Sequence, residues 1–177
     1  LGAADEWPGR EFEDEENYYL DKQAYYGIGR VKYSLKGDNY VGLLYAGKEL
    51  GDFYNRVMAL DSVYRFAKYH SIRANFITTR TQDPETEDAT SGNAFSARYS
   101  YSTKSVWGMV SLEKFDSDFR MDTAFYRRTG IISSYMELIP IFTIKSKKID
   151  WLKSIKPVLA ANYLHDYETE MNDKYLN

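Results

Sequence analysis

The sequence predicts an all-β fold: an antiparallel up-and-down meander of about eight strands, forming part of a transmembrane β-barrel. Three observations lead to it. Residues 93 to 102, Asn-Ala-Phe-Ser-Ala-Arg-Tyr-Ser-Tyr-Ser, put Phe95, Ala97, Tyr99 and Tyr101 on one face of a strand and Ser96, Arg98, Ser100 and Ser102 on the other. Similar runs recur along the chain between turn-forming residues. No apolar run approaches the roughly 20 residues of a membrane helix, and no helical period persists over a useful length.

The strands follow in order. Gln23 to Lys36 and Tyr40 to Glu49 form a hairpin around Lys36-Gly37-Asp38-Asn39, a strong turn signal. Tyr54 to Ala67 and Ser71 to Arg80 form the next pair, and Asn93 to Ser102 and Val106 to Phe115 the third. A long apolar stretch from Phe125 to Lys145, interrupted by Pro140, reads as the seventh strand, and Ile155 to Tyr167 as the eighth. Met171 to Asn177 reads as a loop starting a further strand. Residues 1–22 read as an acidic loop or leader segment and 23–177 as the barrel domain; with no signal peptide at Leu1, the expectation is that a leader was removed or that the chain is a fragment of a larger barrel.

Composition narrows the class. A net charge of −3 over 177 residues gives no support to nucleic-acid binding. The chain has no Cys, which excludes disulfides, thiolate metal sites and a cysteine nucleophile. Mean hydropathy of −0.56 would ordinarily indicate a water-soluble chain. Barrel strands are apolar only at alternate positions, however, so the average misses them.

The connections divide into two sets. Lys36 to Asn39, Lys68 to His70, Thr103 to Ser105 and Ser146 to Asp150 are short and carry Lys36, Lys68, Lys104, Lys147 and Lys148. Leu1 to Asp21, Thr81 to Gly92 and Asp116 to Asp122 are longer and rich in carboxylates. In a meander each set lies at one end, which gives a short basic rim and a long acidic one, the habit of outer-membrane barrels.

Parity assigns the faces. Arg30, Lys32, Asn55, Asp61, Arg65, Arg73, Asn75 and Arg98 fall on the polar face and, with Arg128, are the candidates for a barrel lumen. Tyr33, Leu60, Tyr64, Phe76, Phe95 and Tyr99 fall on the apolar face and are the candidates for lipid contact. Tyr40, Tyr69, Tyr101, Trp107 and Trp151 suit an interfacial aromatic girdle. Alternation alone leaves a second reading open: a soluble lipocalin-like barrel whose apolar face lines a pocket for a small apolar ligand.

The stretches Tyr26-Gly-Ile-Gly-Arg-Val-Lys-Tyr-Ser-Leu35 and Tyr54-Asn-Arg-Val-Met-Ala-Leu-Asp61 resemble the barrel part of domain-of-unknown-function family 5916. So does Asp118-Phe-Arg-Met-Asp-Thr-Ala-Phe-Tyr-Arg-Arg128, where the family has Asp-Phe-Asn-Pro-Glu-x-Gly-Phe-x-x-Arg. Phe119, Asp122, Phe125 and Arg128 fit that pattern, whereas Arg120, Met121 and Ala124 depart from it. The resemblance covers residues 23 to 130. It implies a bacterial surface protein with an upstream domain like a family-9 carbohydrate-binding module, followed by an outer-membrane barrel longer than this chain.

Motifs for chemistry are sparse. His165-Asp166 could be half of a relay, but no serine elbow or metal spacing accompanies it. Gly27-Ile-Gly29 precedes no helix, so it is no phosphate loop. Asp83 to Asp88 lacks the ligand spacing and central glycine of a calcium loop. Arg127-Arg128 could hold an anion or pair with nearby Asp residues. The expectation is a non-enzymatic segment of an outer-membrane barrel, acting as a pore or as the membrane anchor of a surface glycan-handling protein. No catalytic residue, metal ligand or cofactor is expected. The expected partners are outer-membrane lipid and glycan or other envelope proteins, with no nucleic acid among them.

Overall fold

The computed structural model describes residues 2–5, 22–83, 88–123, 128–145 and 151–176. They form β1 (Gly2–Asp5), β2 (Ala24–Ser34), β3 (Tyr40–Leu50), β4 (Phe53–Phe66), β5 (His70–Gln82), β6 (Thr90–Ser102), β7 (Val106–Phe115), β8 (Ile131–Pro140), β9 (Phe142–Thr143), β10 (Ser154–Ile155), β11 (Leu159–Asp166) and β12 (Asn172–Leu176). Ten of these make one antiparallel sheet in the order β1-β2-β3-β4-β5-β6-β7-β8-β11-β12, and β9 and β10 make a small separate hairpin. Among the described residues there is no helix.

The meander expected from the sequence is present, but the sheet is open. β1 and β12 are its edges, and it is not closed into a barrel. The strand count also exceeds eight. Gly2 to Asp5, inside the expected acidic segment, pairs with Gly27 to Ala24 of β2. Asn172 to Leu176 adds a final strand against β11. The expected strand Phe125 to Lys145 is shorter: β8 begins at Ile131, after Gly130 takes a positive φ of 67°, and ends at Pro140. Proline cannot donate to a ladder and belongs at such an end. The expected short turn at 146–150 lies outside the described residues, and the chain between Pro140 and Leu159 includes the β9–β10 hairpin.

The other turns follow their chemistry. Gly37 and Asp38 at the β2–β3 turn, and Gly51 at the two-residue β3–β4 turn, adopt the positive φ that tight hairpins require. The Asn39 amide donates to the Lys36 carbonyl at 2.8 Å, and its side-chain oxygen accepts from the Arg65 backbone N–H of β4. One polar side chain thus ties two hairpins together. The Gly51-Asp52 turn lies at the long-loop rim, so that rim mixes one tight turn with its long connections.

Register is unbroken from β2 to β8, and it aligns the alternation of each strand with the next. Val31, Leu43, Leu60, Phe76 and Phe95 form one cross-strand row. Tyr64, Ile72, Tyr99, Val110, Met136 and Ala161 form another. The large apolar residues of these rows are the exposed ones: Val31 is 72 % accessible and Leu60 50 %. The buried hydrophobics are few and small in total, among them Ala46, Leu50, Phe53, Val57, Ala94 and Phe119. Except for Phe119, they occupy the opposite face. A water-facing sheet buries its large apolar residues and exposes polar ones. This sheet leaves large apolar residues exposed on one face, while Arg30, Arg73, Asn75 and Arg98 are exposed on the other.

Candidate functional site

All six apolar-face candidates, Tyr33, Leu60, Tyr64, Phe76, Phe95 and Tyr99, register on the same side of the sheet. Charge on that side of β2 to β8 is confined to Glu49, Arg56, Arg80 and Lys114, all toward the end with the long connections. Arg56 pairs with Glu49 through two hydrogen bonds of 2.7 and 3.1 Å. Between this charged border and the short turns lies a charge-free apolar band. Counted in cross-strand partners, the border is uneven: Arg56 and Arg80 are direct partners, Glu49 lies two residues nearer the rim, and Lys114 lies four residues farther into the band.

At the short-turn end the band finishes in aromatics. Phe66 stacks on His70 at 5.2 Å, His70 lies 5.0 Å from Tyr101, and the Tyr99 hydroxyl meets His70 Nδ1 at 2.7 Å. Tyr69 contacts Tyr101 edge-on. Of the expected girdle, Tyr69 and Tyr101 belong to this cluster. Tyr40 and Trp107 register on the polar face instead, because each is one residue out of phase with the apolar positions of its strand. Trp151 lies just before β10 and is exposed.

The polar face gathers Arg30, Lys32, Asn55, Asp61, Arg65, Arg73, Asn75 and Arg98. Arg30 on β2 reaches across β3 to grip both oxygens of Asp61 on β4, at 2.9 and 2.7 Å. The strand between contributes Gly42 there, and a Cβ at that position would stand 2.5 Å from the Asp61 carboxylate. Glycine clears the path for this ion pair. Lys32 sits 4.1 Å over the Tyr40 ring, and Arg65 donates to the Asp38 carbonyl. Arg128 lies outside the strands, in the connection before β8, where it pairs with Asp166. Asp166 also accepts from the backbone N–H groups of Glu168 and Thr169, both at 2.8 Å, closing the turn after β11. His165 points to the other face toward Asn172, so His165-Asp166 makes no relay.

One feature was not legible in the sequence: residues 116–122, after β7, fold back over the polar face. The Asn55 side chain, fully buried, donates to Thr81 Oγ1 at 2.8 Å and to the Arg120 carbonyl at 2.9 Å. It accepts from the Asp122 backbone N–H at 3.0 Å. Asn55 thereby serves a sheet and a loop at once. Thr79 and Thr81 are buried beside it, and Phe119 lies over Gly92, where an added Cβ would come within 2.4 Å of the loop backbone. Lys48 of β3 meets Asp122 at 3.7 Å, while Arg120 spans Asp122 and Asp83. The available signals are a glycine bordering the alternating run and an asparagine on the polar face.

Asp116 starts this segment. Burial works against its charge, but hydrogen bonds from the Asn93 side-chain amide and backbone N–H, with Lys114 at 3.4 Å, outweigh burial. They hold the carboxyl below its ordinary range. Among the described residues no cluster of His, Cys, Asp or Glu could hold a metal ion. No protein-family model, curated protein or solved structure matches the chain.

Two outcomes test this geometry. Asn55→Ala removes both donors and the acceptor, leaving buried groups unpaired, and should cost about 1–3 kcal/mol in urea unfolding and expose residues 116–122 to protease. Unchanged proteolysis would show that Asn55 does not hold the segment. The lowered pKa of Asp116 contributes stability that is present above the unfolded value of about 3.9 and is lost as pH falls through the folded one. Asp116→Asn should therefore lower the melting temperature at pH 7. The gap from the parent should close in acid, and a constant gap would contradict the assignment.

Proposed function

We propose that this chain is a segment of a bacterial outer-membrane β-barrel, its apolar face against lipid and its polar face against the lumen. The observation that supports it most is the exposed, charge-free band on one side of an antiparallel meander, bordered by charge at one end and aromatics at the other. An exposed apolar surface of that extent on a water-soluble monomer would be unusual. A lipocalin-like barrel would have the same band enclosed around a ligand, away from solvent.

Residues 116–122 fit this reading as a loop folded inward to narrow the lumen. Its anchors, Asn55, Thr79, Thr81 and Gly92, all belong to the polar face. The chain then acts as a restricted pore or as a membrane anchor. A link to surface glycan handling rests on the resemblance to domain-of-unknown-function family 5916.

A folded membrane barrel requires detergent and migrates differently before and after boiling. Tyr99→Arg should destabilise it by about 2–4 kcal/mol if Tyr99 lies near mid-membrane, with Arg98→Ser far milder. Reversed sensitivities would refute the facing, and a monomer that stays soluble without detergent would refute the membrane reading.

A further inference from the structure

The polar face contains two arginines placed directly opposite each other. Arg73 of β5 and Arg98 of β6 are cross-strand partners, and like charges so placed oppose strand pairing. The other strand cations of this face have partners: Arg30 has Asp61, Lys48 has Asp122, Arg65 has the Asp38 carbonyl and Lys32 has the Tyr40 ring. Arg73 and Arg98 have no ion pair among the described residues. Both line a recess of about 230 Å³ together with Asn75, Ser96, Ser111 and Glu113.

We propose that Arg73 and Arg98 form a binding site for a small hydroxylated carboxylate, such as a uronic acid. Two guanidiniums facing one recess offer the forked donors that match a carboxylate. Glu113, diagonal to Arg98 across β6 and β7, lines the same recess without an ion pair of its own. Its carboxylate accepts from ligand hydroxyls and repels a second negative charge, so the site favours a monoanion over a dianion. Asn75, Ser96 and Ser111 supply neutral donors and acceptors around the ring, with the Asn75 amide already 3.4 Å from Ser96 Oγ. A bound carboxylate offsets the repulsion between the arginines, which couples ligand binding to stability. The site requires only the polar face and is independent of membrane insertion.

The test is calorimetric titration of the full chain in detergent micelles at low ionic strength, using glucuronate, glucose and inorganic phosphate as probes. Glucuronate should bind and raise the melting temperature, and glucose should do neither. Arg73→Gln and Arg98→Gln should each weaken glucuronate binding by about tenfold or more. Arg73→Gln should also melt at a higher temperature than the parent when no anion is present, because the opposition of charges is relieved. Glu113→Gln should strengthen phosphate binding. Absence of glucuronate binding, or equal affinity in the Arg73→Gln and Arg98→Gln variants, would overturn the site. So would loss of stability in Arg73→Gln without anion.

Discussion

Register is the constraint on which the rest of this structure depends. Side chains on a strand alternate with a period of two, so a slip of one residue between any two neighbours would turn one strand's apolar set to the wrong face. From β2 to β8 no such slip occurs. Seven separate alternations therefore merge into two continuous surfaces, one apolar and free of charge over most of its length, the other polar and ion-paired in part. Backbone hydrogen bonds supply the cohesion that a small hydrophobic core could not.

The polar face shows what cohesion exists beyond the ladder. Arg30 and Asp61 bridge two strands across Gly42, and Asn55 joins β4, β5 and the segment 116–122 through a single buried amide. Both contacts join strands and segments that lie far apart in sequence. Deleting the Asn55 side chain leaves Thr81 Oγ1, the Arg120 carbonyl and the Asp122 N–H to find new partners in a dry site. In such sites one lost partner costs more than one hydrogen bond is worth.

Much of the sheet was legible in the sequence because the code is local. Tyr54 to Ala67 and Val106 to Phe115 correspond closely to β4 and β7, and Lys36-Gly37-Asp38-Asn39 fell on the turn. Parity placed Arg98 and Tyr99 on opposite faces for the same reason. Where the determinant is not local, no sequence pattern shows it. Gly2 to Asp5 has no alternation of its own and becomes a strand only because β2 offers an edge. The apolar stretch from Phe125 suggested an early start to β8, whereas the strand begins beyond the left-handed Gly130. The fold-back of residues 116–122 depends on Asn55 and Gly92, more than twenty residues away, and no short-range pattern announces it. Tyr40 and Trp107 were grouped by their nearness to strand ends, but parity decides the face.

The proposed contact of the exposed apolar face with lipid hydrocarbon is open to a residue-by-residue measurement. Because the chain has no cysteine, single cysteines can be introduced at Leu60, Asp61, Asn75, Phe76, Arg98 and Tyr99, labelled with a fluorophore and reconstituted into vesicles containing brominated lipid. Contact with lipid predicts strong quenching at positions 60, 76 and 99 and weak quenching at 61, 75 and 98. Uniform quenching, or an alternation of opposite sign, would contradict it.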